Sequence, residues 1–136
     1  MKLMSLPFPL GLAVAALLIG CGAGHPKIVS ITVTPTTGSA PTIPPTDVQF
    51  TATATFDNQS SRELTIADGL TWTTSNSNIA TINDNGSATC VAPGAVTITA
   101  SAPSELNITV NNGVNNTSMN VSGTAQLTCV NNATSP

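Results

Sequence analysis

Three thiols, one imidazole and six carboxylates are the groups in this 136-residue chain that could carry a lipid, hold a metal or move a proton. The thiols are Cys21, Cys90 and Cys129, and the imidazole is His25. The acids are Asp47, Asp57, Glu63, Asp68, Asp84 and Glu105. Ser–His–Asp chemistry needs a histidine inside the folded body. His25 stands instead in GAGHPK, residues 22–27, which reads as an exposed tether. Two acids converging could do acid–base work, but these six are scattered over turn-rich segments. Zinc lacks a ligand set, because there is no CxxC pair and no second histidine. The turn Asp84–Gly86 could help hold calcium, yet the alternating ligand run of a dedicated loop is missing, and turn chemistry accounts for the same residues. No glycine-rich phosphate loop is present. The sequence thus points to no catalytic residue, no metal and no cofactor, and to a protein that is not an enzyme.

The surroundings of Cys21 give it a different task. Residues 1–20 read MKLMSLPFPLGLAVAALLIG. Lys2 supplies a positive start, and Leu10 to Ile19 is an apolar run about half the length of a membrane-spanning helix. That is the size of a signal-peptide core. Leu18, Ile19, Gly20 and Cys21 then resemble the bacterial lipobox, with leucine at −3, a small residue at −1 and cysteine at +1. The resemblance implies a lipoprotein signal peptide over 1–20 and a thioether-linked diacylglycerol on Cys21. An ordinary secretory peptide, or a short anchor helix with Cys21 incidental, is the simpler reading of the same residues. Each buried CH₂ contributes ~0.8 kcal/mol and stable anchoring takes about two chains, so a lipidated Cys21 would hold residues 21–27 as a tether on a membrane. Gly22, where an aspartate often marks inner-membrane retention, favours the outer membrane or cell surface.

Charge narrows the partners. Charged residues make up 7% of the chain, against a usual ~25%. Removing Lys2 with the leader takes the formal charge from −3 to −4 and leaves Lys27 and Arg62 as the cations. No basic patch can be assembled, which excludes nucleic acid, and no polybasic stretch is available for an anionic membrane surface.

The elements that must position these groups are strands and the turns between them. In IVSITVTP, Val29, Ile31 and Val33 alternate with Ser30, Thr32 and Thr34, the period of a half-buried strand. The proline-rich stretch 35–46 is barred from a central strand and reads as a kinked edge segment or crossing loop. VQFTATATF, residues 48–56, predicts one strand with Val48, Phe50, Ala52, Ala54 and Phe56 inward. Residues 57–69 open with turn formers and close at Asp68-Gly69. LTWTT places Leu70 and Trp72 on one face. IATI and SATCVA flank the hairpin turn Asn83–Gly86. AVTITAS, 95–101, turns Val96, Ile98 and Ala100 inward. LNITV, 106–110, is a further candidate strand. MNVSGTAQLTCV aligns Met119, Val121, Gly123, Ala125, Leu127 and Cys129, and residues 131–136 form a frayed tail. About seven short strands without a helical period after residue 20 predict an all-β fold, an antiparallel sandwich over 28–130.

The segment LTWTTSNSNIATINDNGSATCVAPGAVTITAS, residues 70–101, resembles the bacterial Ig-like domain, group 2. Trp72, Ser75, Asn76, Ile79–Ile82, Gly86, Ala88, Thr89, Ala92, Gly94, Val96, Ile98 and Ala100 carry the resemblance, and VTP and VQFTATATF fit it upstream. It implies an Ig-like β-sandwich on a bacterial envelope protein, with no catalytic residues to transfer. Cys90 departs from the family's usual small residue, and residues 102–117 lengthen the last connection.

Within such a sandwich Cys90 shares its face with Ala88 and Cys129 with Leu127, so both thiols should point into the core toward one pole. An even pair in an oxidising compartment predicts a Cys90–Cys129 disulfide, with two buried free thiols as the alternative. Trp72 could be a sugar-stacking platform, but beside Leu70 it reads as core. The expected core is Trp72, Phe50, Phe56, Ile82, Val96, Ile98 and Leu127. Two functions fit. One is a lipid-anchored envelope module for adhesion or protein–protein recognition, meeting a protein or surface ligand through polar loops or an edge strand. The other is a structural spacer without a ligand.

Overall fold

Alternation of apolar and hydroxyl side chains shapes this molecule throughout, and a computed structural model describes it over residues 25–105 and 119–131. The leader with Cys21, the expected strand at 106–110 and residues 132–136 lie outside the described residues. The strands are β1 (Ile28–Thr34), β2 (Thr37–Pro41), β3 (Asp47–Gln49), β4 (Thr51–Phe56), β5 (Ser61–Glu63), β6 (Thr71–Thr74), β7 (Ala80–Ile82), β8 (Ser87–Cys90), β9 (Gly94–Pro103) and β10 (Asn120–Val130). Among the described residues a single 3-10 turn, Ile66–Asp68, interrupts them. Ten strands among the described residues exceed the expected seven because the 48–56 run is divided, the proline-rich stretch supplies β2 and 57–69 holds β5.

The strands form a four-stranded sheet in the order β2-β10-β9-β6 and two three-stranded sheets, β1-β4-β5 and β3-β8-β7. All pairs are antiparallel except β10 with β2, which is parallel. The expected all-β antiparallel sandwich is what the chain forms, with this one parallel pair added. The physical reason is that β1 and β2 are one run of chain that leaves one sheet and joins the other through Pro35 and Thr36, keeping its direction. The proline-rich stretch accordingly supplies an edge strand, where its missing N–H groups cost no ladder bond. The stretch 48–56 divides in the same way. Val48 pairs with Ala88 on β8, whereas Ala52 and Ala54 pair with Val33 and Ile31 on β1. Phe50 lies at the break, buried, its N–H donating to the Gly86 carbonyl.

Two inward assignments are corrected. Val29 is 57% exposed while Ile28 is buried. The register of β1 on β4 shifts between Ile28 and Ser30, a bulge that adds one residue and turns Val29 outward. Met119 precedes β10 and is 80% exposed, its carbonyl accepting a hydrogen bond from the Ser104 N–H.

One core joins the sheets. Phe50, Phe56, Val96, Ile98 and Leu127 are buried in it, and Trp72 and Ile82 are partly buried against it. Ala52, Ala54, Ala88, Ala100 and Ala125 fill much of the rest. Small side chains let the layers approach closely. At Gly123 a Cβ would collide with the backbone carbonyl of Ile31, so β1 crosses β10 at a point where no side chain fits. Cys90 on β8 and Cys129 on β10 form a disulfide within this core, their Cα atoms 5.5 Å apart.

Candidate recognition pocket

Two loops converge beside Trp72 and border a half-open pocket of about 110 Å³. Leu64, Thr65, Ile66 and Leu70 form one wall, and Asp84 and Asn85 form the other, with Trp72 between them. Leu64 and Leu70 are buried and make an apolar floor, while Ile66 is 59% exposed at the rim.

The first wall is held by charge. Arg62 grips Asp68 with both guanidinium ends, Nη2 to Oδ1 at 2.6 Å and Nη1 to Oδ2 at 3.0 Å. This is the forked geometry that distinguishes arginine–carboxylate pairs. Asp68 Oδ2 also accepts from the Thr65 N–H at 2.9 Å and from the Thr65 hydroxyl at 3.3 Å. Gly69 follows in a left-handed conformation, φ 78°, and closes the turn with its N–H on the Ile66 carbonyl. The Arg62 guanidinium stands 5.8 Å from the centroid of the Phe56 ring, within reach of a cation–π contact. Hydrogen bonding to Arg62 lowers the pKa of Asp68 to about 2, with the Thr65 bonds acting in the same direction. A carboxyl group so depressed adds stability above its unfolded pKa of about 3.9 and loses that stability as pH falls through about 2. Asp68 is 16% exposed but Arg62 is 49% exposed, so solvent screening holds the expected effect of Asp68→Asn to about 1 kcal/mol at neutral pH. Urea denaturation at pH 7 and pH 2 checks this: the gap between parent and variant should close at the acid end.

The second wall is held by amide and backbone bonds. Asn83 Oδ1 accepts from the N–H groups of Asn85 and Ser87, each at 3.0 Å, a side-chain turn of the kind asparagine favours. Gln49 Nε2 donates to the Asn85 carbonyl at 2.6 Å and the Gly86 N–H donates to the Asn83 carbonyl. Gly86 has φ 79°, and a Cβ there would run into the Phe50 carbonyl and the Trp72 ring. Glycine is thus required twice, by conformation and by close approach to the indole. Its hairpin role was readable, whereas its contact with Trp72 was not.

The remaining candidates occupy structural places. His25 is exposed in the stretch before β1. Asp47 accepts from the hydroxyls of Thr89 at 2.6 Å and Ser87 at 3.1 Å, tying β3 to β8. Glu105 pairs with Lys27 at 2.8 Å, and Asp57 accepts from the Lys27 N–H. Among the described residues no three His, Cys, Asp or Glu side chains converge as a metal site. No described helix is long and apolar enough to cross a membrane. Trp72, expected in the core, is half-buried and lines the pocket instead of closing it over. Sequence reasoning missed the Arg62–Asp68 pair. Its legible sign was Thr65-x-x-Asp68, the spacing at which a first-turn acid returns to cap a backbone N–H.

Comparison with known proteins agrees with the fold. Residues 28–121 match the model of the bacterial Ig-like domain (group 2). Ice-binding protein 1 of Shewanella frigidimarina (strain NCIMB 400) is 43% identical over 74 residues, which cover 54% of this chain and 8% of that protein. With its mixed-sheet sandwich, shared core and a family match over most of its length, the chain belongs to the bacterial Ig-like domain (group 2) family.

Proposed function

We propose that this chain is a non-catalytic recognition module of the bacterial envelope, held on the membrane by lipid at Cys21 and meeting a protein partner through the loops around Trp72. The observation that carries the reading is the pocket whose two walls are each fixed before any partner arrives. A site already ordered avoids much of the entropic cost of binding. Membership of the bacterial Ig-like family supports a surface setting, and the buried Cys90–Cys129 disulfide suits an oxidising compartment.

A second reading, the spacer, is favoured by the outer sheet faces. Thr73, Thr99 and Thr124 lie in register across β6, β9 and β10, and Thr71, Ser101 and Ser122 form the next row. On the other side Thr32 pairs with Thr53 and Thr34 with Thr51. Such hydroxyl rows solvate a sandwich evenly. The name of the Shewanella relative adds ice as a surface these rows could meet, which inhibition of ice recrystallisation would detect.

Two measurements test the proposal, the first its anchor and the second recognition against the spacer. Growth of the native host with a palmitate analogue should label the parent and leave Cys21→Ser unlabelled and out of the membrane fraction; equal labelling would remove the anchor. Cross-linking on intact cells with a membrane-impermeant reagent should give one discrete adduct for a recognition module. A spacer gives the uncombined chain.

A further inference from the structure

We propose that the pocket beside Trp72 receives a lysine side chain presented by a protein partner. The inference rests on the recognition reading above and names the chemistry of the contact.

Size comes first. A cavity of about 150 Å³ holds benzene. The pocket here measures about 110 Å³, which suits a narrow alkyl stem better than a sugar or aromatic ring. Its floor of Leu64 and Leu70 matches the four methylenes of lysine, whose stem buries readily while the charged end stays in water.

Hydrogen-bonding capacity comes next. The Thr65 hydroxyl is committed to Asp68. Asp84, an exposed acid at the opposite rim, makes no side-chain hydrogen bond or ion pair among the described residues. A lysine ammonium brings three donors and no acceptor, the complement of such a rim.

Charge points the same way. Lys27 is engaged by Glu105 and Arg62 by Asp68. The pocket therefore lies on an acidic molecule whose described side-chain cations are already paired, with a formal charge of −3 over the chain. That field draws a cation toward the site, and the indole of Trp72 lines the pocket it would enter.

The chain carries one tryptophan and no tyrosine, so its emission reports on this pocket alone. The 136-residue chain in detergent would be titrated with a capped Gly-Lys-Gly peptide, with the same peptide acetylated on the lysine Nε, and with N-acetylglucosamine. The lysine peptide should give a saturable change in Trp72 emission that weakens as salt is raised. Acetylation should abolish it, and Asp84→Asn should weaken it about tenfold, or about 1.4 kcal/mol. Asp84 is exposed, so the variant should melt like the parent, and a thermal melt checks that the loss is not unfolding. The proposal is overturned by no saturable change, by equal binding of the acetylated peptide, or by an N-acetylglucosamine response that survives Asp84→Asn. If cells still yield the discrete cross-linked adduct while the lysine peptide fails to bind, the lysine site falls and the recognition module stands.

Discussion

Replacing Cys90 and Cys129 together with alanine is expected to remove about 4 kcal/mol of stability, from the chain-entropy term of a loop of this length. The two cysteines are 39 positions apart in sequence. Their bond joins β8 in one three-stranded sheet to β10 in the four-stranded sheet. In the unfolded chain it forbids the wide separation of the two segments. In the folded state it lies in a core dominated by alanines, where small side chains leave little apolar area per residue to bury. Total stabilities of such domains run near 5–15 kcal/mol, so the loss would remove a large share and could leave the domain unfolded at growth temperature. Guanidinium denaturation of the oxidised parent, the reduced parent and the double variant is the measurement. Reduced parent and double variant should fall together, well below the oxidised form. A drop smaller than about 1 kcal/mol would show that packing alone holds the sandwich.

Gly123→Ala is expected to cost about 3 kcal/mol, the upper part of the range for overfilling a packed interior. The new methyl group would press on the Ile31 carbonyl, and backbone on backbone has no rotamer through which to yield. β1 and β10 would have to move apart, opening the alanine layer between them. Gly38→Ala is the internal control. Its Cβ would meet the ends of the Val48 and Phe50 side chains, at 2.9 Å and 3.3 Å, and those can shift. That variant should cost about 1 kcal/mol, within the usual range for a point substitution. Equal costs in parallel urea titrations would refute the close crossing at Gly123.

Period-two patterns made the strands legible because each has one wet and one dry face. IVSITVTP, TATATF, AVTITAS and the run into Cys129 all alternate, and all are strands. What escaped is what alternation does not encode. The run VQFTATATF keeps its phase through Phe50, yet its hydrogen-bonding partner changes from β8 to β1 there. Pairing depends on where other strands arrive, not on the residues of the run. Ile28 and Val29 are both β-branched and apolar, so composition could not say which one the bulge would expose. The pocket lay hidden for a related reason. Its walls, 64–70 and 83–86, are separate turns in the sequence, and only folding brings them to Trp72. Leu70 and Trp72 correctly shared a face, but the indole proved too large for the thin core to cover completely.

The direction of β2 has a mechanical consequence. β1 and β2 run the same way, and β10 runs parallel to β2, so Ile28 and Val130 end at opposite poles. A pull applied at those two points acts along the strands. The β1–β4 and β2–β10 ladders are then sheared as whole rows and cannot open like a zipper, one rung at a time. Force reaching Val130 also meets the covalent staple one residue earlier, at Cys129. A molecule built this way resists traction between its ends far better than its modest girth suggests.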